Sequence, residues 1–313
     1  MDTKRLFLFA GYDKQGIVDA SLMHYLSSLS RLGDIVFVMD NDSTASEIDK
    51  VKQIPNVLYA NAQRHGEYDF GSYKRAYAWA DANGLMEKYD WIYLVNDSVY
   101  GPLFDIKDIL VDLESRGADL TGMIDLVNNR TPYQVQSWFL GLSQRVANSD
   151  FIREFMKNIS AQVEKQLIVL KYEVGLSQLI LRHGYKISTY ISGENSDVSH
   201  RMYELPLEIL KAGVPFVKKN GLYKMPGLQY MYPYTSDLFV DNLYHSALRT
   251  GVALPAPERP AHAPPVYKKI YRLTLWSVPL LTIRRQDYYD SDLKCYKAYL
   301  FDAIPLVKVF RHK

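Results

Sequence analysis

Polar or small residues follow closely after four apolar segments of this sequence, at Gly11, Asp40, Arg64 and Asn96-Asp97-Ser98. A carboxylate such as Asp97 can hold a divalent metal that bridges a diphosphate, because hard cations prefer oxygen ligands and leave positions open for phosphates. Asp97 or Ser98 can instead cap a turn or a following helix, which is the commoner role of such residues after a strand. The tripeptide marks a candidate binding site without deciding its ligand.

The segment RHGEYDFGSYKR, from Arg64 to Arg75, is dense in charged and aromatic residues. Arg64, Lys74 and the backbone amides around the two glycines can all meet one anionic group. The alternative is a solvated helix N-terminus with Asp69 or Ser72 as its cap. The residues alone leave both interpretations open.

Glu173 is the one acidic residue in the apolar stretch YEVGLSQLIL, residues 172–181. A partly desolvated carboxylate has a raised pKa that suits a general base. Glu173 can equally be the partner of Lys171 on an exposed face. His200 is a lone histidine that can complete a metal site with Asp97, although such histidines are more often only hydrogen-bonded.

Apolar and helical segments alternate through the first hundred residues. We predict strands at 5–10, 34–39, 56–60 and 91–95, and helices at 18–32 and from about Gly71. This alternation predicts a mostly parallel sheet with helices on its faces. Ligands of such sheets bind at the carboxyl ends of strands, so Gly11, Asp40, Arg64 and Asp97 are expected to lie at one edge.

The pattern changes after Asp97. Strands are predicted at 120–124 and 135–142, followed by helices at 150–157 and 160–183. Gly184 is expected to terminate the second helix, since glycine is favoured directly after a helix C-terminus.

Composition restricts the class of protein. The 313 residues are 48% hydrophobic and 23% charged with a formal net charge of +2, which is typical of a globular protein and gives no argument for nucleic acid as a partner. The single cysteine, Cys295, rules out an intramolecular disulfide and a CxxC zinc site, and it suits a reducing compartment. The sequence has no GxGxxG, GxxxxGK[ST], GxSxG or HExxH motif, which argues against dinucleotide dehydrogenases, P-loop NTPases, α/β-hydrolases and zinc proteases.

The N-terminal apolar stretch, residues 6–10, is too short for a signal-peptide core. No apolar run approaches the roughly 18 residues needed to cross a bilayer. We therefore expect a cytoplasmic protein, with peripheral attachment to the cytoplasmic face of the inner membrane as a further expectation from its C-terminal segment.

Three regions are predicted along the chain: a main domain at 1–252, a Pro-rich linker at 253–265 and a C-terminal extension at 266–313. The extension holds ten Lys or Arg residues against four Asp, interleaved with aromatic residues. This composition suits the surface of an anionic bilayer. It also suits a helical extension that packs on the main domain or on a second subunit.

Five segments in this order resemble the rhamnan synthesis protein F family of bacterial polysaccharide glycosyltransferases. They are HGEYDFGSYKRAY at 65–77, LVNDSVYGPL at 94–103, QSWFLGLSQRV at 136–146, YEVGLSQLILRHGYK at 172–186 and LKAGVPFVKK at 210–219. The resemblance covers roughly residues 5 to 220, and the shared order is more specific than any single segment.

The resemblance implies a GT-A type fold, in which a Rossmann-like sheet binds a nucleotide-sugar such as dTDP-rhamnose. It places Asn96-Asp97-Ser98 where such enzymes carry a DXD motif that holds Mg or Mn. One carboxylate replaces the usual two, so His200 or the substrate must supply further ligands if a metal is present. The nucleoside is then expected near Gly11 and Asp40.

The remaining site residues follow from the same resemblance. Arg64, Lys74 and Asp69 are expected around the donor, and Glu173 resembles the acid that activates the acceptor hydroxyl in inverting enzymes. Trp138 can stack on an acceptor sugar or pack in the core.

The function implied is transfer of a sugar, rhamnose being the first candidate, to a cell-surface polysaccharide or lipopolysaccharide. The expected partners are the nucleotide-sugar, a glycan or lipid-linked glycan acceptor, and a membrane surface through the C-terminal extension. The alternative is a subunit of a polysaccharide assembly that binds without catalysis, which the incomplete DXD motif favours.

Overall fold

The computed structural model describes residues 3–127, 132–192 and 202–258, and the C-terminal segments 265–275, 278–288, 293–300 and 304–312. In these residues the strands are β1 (Arg5–Gly11), β2 (Asp34–Met39), β3 (Val57–Ala62), β4 (Trp91–Asn96), β5 (Val99–Tyr100), β6 (Leu120–Leu126), β7 (Gln134–Val135), β8 (Phe139–Ser143), β9 (Ile187–Ile191), β10 (Val217–Lys218), β11 (Pro265–Leu275), β12 (Val278–Tyr288), β13 (Leu293–Leu300) and β14 (Ile304–His312).

The α-helices are α1 (Ala20–Leu29), α2 (Ala45–Lys52), α3 (Tyr68–Ala82), α4 (Lys107–Ser115), α5 (Gln144–Ala147), α6 (Asp150–Lys157), α7 (Lys165–Ile168), α8 (Gly175–Arg182), α9 (Pro206–Lys211) and α10 (Asp237–Arg249). A π-helical segment, Val169–Val174, joins α7 to α8. Two 3₁₀ segments follow β10, at Lys219–Lys224 and Leu228–Met231.

A mixed, mostly parallel sheet forms the centre of the molecule, with strand order β3-β2-β1-β4-β8-β6-β7 and with β9 beside β6. The first four strands of this order are parallel to one another. β8 runs antiparallel to both β4 and β6, and β9 returns parallel to β6. The predicted α/β class, a Rossmann-like sheet between helices, is confirmed.

The central strands are apolar without alternation because both faces of the sheet are covered. All residues of β1 are buried, and so are those of β4. Phe7 and Phe9 pack on the face that carries α1, whereas Leu6 and Leu8 pack on the face that carries α3. The carboxyl ends of the parallel strands are left as the edge at which polar side chains can reach a ligand.

The predicted elements of the main domain are present with shifted boundaries. The helix expected from Gly71 begins at Tyr68, and the strand expected at 135–142 is two strands, β7 and β8, separated around Ser137. The helix expected at 160–183 starts only at Lys165 and contains the π-helical segment. It ends before Gly184, whose φ of 76° is the left-handed conformation expected there.

The C-terminal extension differs from the predicted helical form. Its described segments are the four antiparallel strands β11 to β14, paired in chain order. The physical reason lies in composition: Tyr, Val, Ile and Thr recur in these segments, and aromatic and β-branched side chains favour strands over helices.

No helix among the described residues combines the length and the apolar character needed to cross a bilayer.

Candidate functional site

A cavity of about 560 Å³ opens at the carboxyl ends of β1, β2 and β4. We call it the strand-end cavity; its lining is Gly11, Tyr12, Asp40, Arg64, Gly66, Tyr68, Asp69, Asp97, Ser98, Gln162, Lys219 and Asn220. Its volume lies in the range of small-molecule and cofactor sites. The sheet topology thus gathers residues that are up to about two hundred positions apart in the chain.

Asp40, at the end of β2, shapes one wall of this cavity. Its Oδ1 accepts hydrogen bonds from the backbone N–H groups of His65 at 2.7 Å and Gly66 at 3.0 Å. Arg64 donates to the Asp40 carbonyl at 2.9 Å, and its side chain remains about half exposed beside Tyr12. The Asp40 carboxylate therefore fixes the loop after β3, and Arg64 stays available at the cavity.

The loop after β3 is closely packed at the start of α3. A side chain at Gly71 would meet Glu67 Cβ at 2.3 Å and the His65 ring at 2.7 Å, so only glycine fits there. Tyr68 begins α3 with φ at 56°, a left-handed conformation that is uncommon for an aromatic residue. Such backbone strain is most often found at binding sites, and Tyr68 borders the cavity.

Asp97 is buried directly after β4. Its Oδ2 accepts the Tyr12 N–H at 3.2 Å and lies 3.5 Å from Lys219 Nζ. Burial raises the pKa of Asp97 above its ordinary value, and the lysine ammonium acts in the opposite direction. Burial would lower the pKa of Lys219, but the attraction of Asp97 and other neighbours outweighs it and leaves that pKa raised.

Asn96 joins Asp97 to the neighbouring loop. Its Nδ2 donates to Asp69 at 2.9 Å, while its Oδ1 accepts from the N–H of Ser98 at 3.0 Å and from the hydroxyl of Ser98 at 2.5 Å. Ser98 in turn accepts a hydrogen bond from Lys218 Nζ at 2.9 Å. The Asn96-Asp97-Ser98 turn is thus held on both sides.

Lys219 is brought to Asp97 by a short antiparallel pair. Val217 lies opposite Tyr100 and Lys218 opposite Val99, and the Lys219 N–H donates to the Ser98 carbonyl at 3.0 Å. A side chain at Gly101 would meet the Phe216 ring at 2.4 Å and the Pro215 carbonyl at 2.6 Å. The glycine that ends the sequence NDSVYG therefore allows the segment 215–219 to approach.

A second cavity, of about 400 Å³, adjoins the first. We call it the helix-side cavity because the π-helical segment lines it with Val169 and Glu173. Tyr68, Asp69, Ser98 and Asn220 line both cavities. A molecule in one cavity would therefore lie directly beside a molecule in the other.

Glu173 is partly buried in the helix-side cavity. Its Oε2 accepts hydrogen bonds from the Ser137 hydroxyl and from the Ser137 N–H, the second at 3.2 Å. Ser137 lies in the interruption between β7 and β8. A π-helical turn holds more residues than an α-helical turn, which rotates the side chains that follow it. Such segments often occur at functional sites.

Trp138 and Lys218 complete the helix-side cavity. Trp138 is 1% exposed, packs edge-on against Phe216 and donates from Nε1 to Gln136 at 3.1 Å. Lys218 Nζ lies 5.5 Å from the Trp138 ring centre and 5.7 Å from that of Tyr203. Trp138 was expected either to stack on an acceptor sugar or to pack in the core. Most of its surface packs in the core.

The structure brings most of the predicted site residues together. Gly11, Asp40, Arg64, Asp69 and Asp97 line the strand-end cavity, and Asn96 and Glu173 line the adjoining one. Lys74 is not brought to either cavity, since its ammonium donates to the Ile159 carbonyl at 2.7 Å. His200 lies outside the described residues.

Sequence reasoning missed Lys219 and Arg249. Lys219 stands at the end of the segment LKAGVPFVKK, which was the only signal for it. Arg249, at the end of α10, donates to Asp13 at 2.6 Å and to Asp19 at 2.9 Å. It thereby fixes the loop that follows β1 and carries Tyr12.

The contacts of Asp97 disfavour a divalent metal at its Oδ2 oxygen. The Oδ2 oxygen already faces the Tyr12 N–H and the Lys219 ammonium, and a metal ion there would repel the lysine. Across 3–127, 132–192 and the other described ranges, no three His, Cys, Asp or Glu side chains are grouped to hold a metal ion.

Fold and site together define an α/β protein with a Rossmann-like sheet and a polar cavity at its strand ends. The family model of rhamnan synthesis protein F matches residues 35–241, more than half of the chain. The chain belongs to this family, as the sequence segments indicated.

Other similarities are more distant. Virulence protein VirA of Vibrio anguillarum (strain ATCC 68554 / 775) is 24% identical over 223 residues, which span 61% of this chain and 70% of that protein. A second VirA sequence from Vibrio anguillarum gives the same values of 24% over 223 residues. The crystal structure of 4-diphosphocytidyl-2C-methyl-D-erythritol synthase superposes with a TM-score of 0.39 at 14% identity, covering 63% of this chain and 92% of that one.

Proposed function

We propose that this protein is an inverting glycosyltransferase of the GT-A type that moves a sugar, with rhamnose the first candidate, from a nucleotide-sugar to a glycan acceptor of a cell-surface polysaccharide or lipopolysaccharide. Family membership supports an enzyme of the sugar-transferase type in polysaccharide synthesis. The observation that carries the proposal is the pair of adjoining cavities: Asp97 lines the strand-end cavity, and Glu173 lines the helix-side cavity.

The strand-end cavity suits the nucleotide-sugar. Tyr12 is 46% exposed at this cavity and offers a ring face to a base, and Gly11 lines the cavity beside it. The Arg64 guanidinium can donate to phosphate oxygens. The sugar would then lie toward the wall that both cavities share, which includes Asp69 and Asn220.

The helix-side cavity suits the acceptor. In the proposed reaction an acceptor hydroxyl oxygen forms a bond to the anomeric carbon, and the bond from that carbon to the diphosphate oxygen breaks with its electron pair. The proton of the hydroxyl passes to the Glu173 carboxylate. Attack from the face opposite the leaving group requires the diphosphate and the acceptor hydroxyl to lie on opposite sides of the sugar. Two adjoining cavities, one for each, support this arrangement.

The test is a panel of nucleotide-sugars, including dTDP-rhamnose, UDP-sugars and GDP-sugars, first by thermal shift and then by release of nucleoside diphosphate. The anomeric configuration of the product should be opposite to that of the donor. Asp97→Ala should reduce turnover severely while the protein stays folded. If Asp97 only caps the turn, its loss should cost about 1 kcal/mol of stability and leave turnover near wild type.

The second candidate function is a binding subunit without catalysis, which the single carboxylate in Asn96-Asp97-Ser98 favours. It predicts thermal shifts with a nucleotide-sugar but no hydrolysis and no transfer with any acceptor. Measurable sugar transfer by the wild-type protein would exclude the binding subunit.

Attachment of the C-terminal extension to the membrane also stays a proposal, based on its ten Lys or Arg residues and its aromatic residues. Deleting 266–313 should release the protein from anionic vesicles and leave transfer to a soluble acceptor analogue unchanged. Equal vesicle binding before and after the deletion would reject the attachment.

A further inference from the structure

Lys219 lies directly beside Asp97, the single carboxylate of the Asn96-Asp97-Ser98 turn. Its ammonium lines the strand-end cavity 3.5 Å from the Asp97 carboxylate, and its backbone is fixed to Ser98 by the pairing of β10 with β5. The Lys219 side chain as a whole is 31% exposed. This combination leaves a fixed positive charge facing the cavity.

The Asp97 contact explains how a lysine can be kept there. A partly buried ammonium is costly without an opposite charge, and Asp97 provides one. Lys219 also lies 5.5 Å from the ring centre of Tyr100, whose face attracts a cation. One carboxylate is enough to hold one lysine, whereas a divalent ion needs several oxygen ligands.

Lys218 and Lys219 are adjacent in sequence but line different cavities. Lys218, the last residue of β10, lines the helix-side cavity, while Lys219, the first residue of the following 3₁₀ segment, lines the strand-end cavity. Arg64 lies on the strand-end cavity as a second cation. A doubly charged anion in that cavity would therefore meet Lys219 and Arg64.

We infer that Lys219, held by Asp97, binds the diphosphate of the nucleotide in place of a divalent metal. The inference rests on the proposed function for the identity of the anion. It assigns to Asp97 the role of orienting Lys219 and the Tyr12 loop, and to Lys219 the stabilisation of the charge that collects on the leaving diphosphate.

The experiment measures the binding of dTDP, UDP and GDP by calorimetry, in EDTA and in Mg²⁺ or Mn²⁺. We expect the Kd of the preferred nucleotide to be the same within about threefold in both conditions. Lys219→Met should weaken it by about 10- to 100-fold, the usual loss of a charge-assisted hydrogen bond. Binding of the matching nucleoside without phosphates should not change, and Lys219→Arg should recover part of the loss.

Lys211→Met is the matched control, since Lys211 is exposed on α9 with only Glu208 as its partner. It should bind the nucleotide as the wild type does. If Lys219→Met alone unfolds because Asp97 is left unpaired, the double variant Asp97→Asn with Lys219→Met removes both charges and is measured in the same way.

The inference is overturned if nucleotide binding disappears in EDTA and returns with Mg²⁺ or Mn²⁺, or if a folded protein without Lys219 binds the nucleotide as the wild type does. Metal-dependent sugar transfer would reject the inference and leave the proposed function standing. Binding through Lys219 without any transfer would reject the enzyme and leave the diphosphate site standing. If none of the three nucleotides binds, both are rejected.

Discussion

At the scale of single residues, Asp97 and Glu173 differ in how they are held. Asp97 is surrounded by an N–H group and an ammonium, which suits a fixed structural charge. Within the part of the chain that the structure describes, Glu173 is held through Oε2 alone, by Ser137, and it lines a cavity. The second arrangement leaves an oxygen that can face a substrate hydroxyl, as a general base requires.

The variant Glu173→Gln tests this role. Glutamine keeps the size of the side chain and can still bond to Ser137, but it cannot take up the proton. Turnover should fall by about 10²- to 10⁴-fold while the affinity for the nucleotide-sugar stays near normal. Donor affinity is measured by calorimetry, and turnover by release of nucleoside diphosphate.

A folded Glu173→Gln protein with wild-type turnover would assign the base to another group. Asp125 is the first alternative, yet its carboxylate accepts from Thr189 at 3.2 Å and Ser192 at 3.0 Å and lines a different cavity. Weaker donor binding with unchanged turnover would instead place Glu173 in the nucleotide site.

The sequence could predict residues whose position follows from one element. Asp40 and Asp97 follow buried strands, so the rule for ligands at strand ends was sufficient to group them. Lys219 was not predicted as a site residue because it is 122 residues from Asp97 in the sequence. It is brought there by a two-residue strand, which is too short to show a periodic pattern. Lys74 was misplaced because its short sequence distance from Arg64 says nothing about which side of α3 it occupies.

At the scale of elements, the π-helical segment and the break between β7 and β8 position Glu173 and Ser137. Neither could be predicted. The apolar spacing of 160–183 is compatible with a regular helix, and a π-helical turn depends on tertiary packing. In the run 135–142 only Gln136 and Ser137 are polar, and so short a polar interruption does not by itself indicate that the chain leaves the sheet there.

Gly101→Ala tests how far the site depends on the β5 and β10 pair. The added Cβ would overlap the Phe216 ring and the Pro215 carbonyl, and Gly101 has a φ of 149°, which is strained for alanine. Overpacking of this kind costs about 1–3 kcal/mol. We expect a lower free energy of unfolding in urea and, because segment 215–219 is displaced, weaker nucleotide binding in the folded protein.

The control is Gly117→Ala, at a glycine that also has a positive φ of 67° but no atom within 4 Å of the added Cβ. It adds a Cβ at another glycine with positive φ and lacks the overlap. Equal losses of nucleotide affinity in the two variants would show that the close approach at Gly101 does not position the site.

At the scale of the whole molecule, distant parts of the chain meet around the first loop. Arg249 from α10 bonds to Asp13 and Asp19, and Asp19 also caps α1 by accepting the Leu22 N–H at 3.0 Å. These contacts lower the pKa of Asp13 and of Asp19 even though burial alone would raise it. The alternation of strands and helices predicted the sheet, but no local pattern predicts a contact that spans 236 residues.

The pH dependence of stability belongs to this scale because two partly buried histidines, on separate elements, act together. Burial is the main cause that lowers the pKa of His24 and of His65 from 6.5. Arg75 and Arg64 lower the pKa of His65 further, while Asp40 and Glu67 oppose them. His65 Nδ1 accepts the Glu67 N–H at 3.1 Å, which requires the neutral ring. His24 Nε2 donates to the Pro102 carbonyl at 2.9 Å, a bond that raises the pKa of His24 but does not outweigh burial.

The direction of the pH effect follows from the linkage between protonation and folding. When the pKa is lower in the folded state, the unfolded chain takes up the proton first as the pH falls below about 6.5, so stability is lost on acidification. Each histidine contributes at most about 1.4 kcal/mol per pH unit. We therefore expect the free energy of unfolding to fall between about pH 7.5 and 5.5, above the range in which ordinary carboxyl groups titrate.

Urea unfolding at a series of pH values measures this slope in the wild type and in the double variant His24→Gln with His65→Gln. Glutamine can place an N–H near the former Nε2 position but does not titrate, so the double variant should lose most of the slope whatever its absolute stability. Each single variant should lose part of it. A double variant that keeps the wild-type slope would show that groups other than these two histidines determine the response to acid.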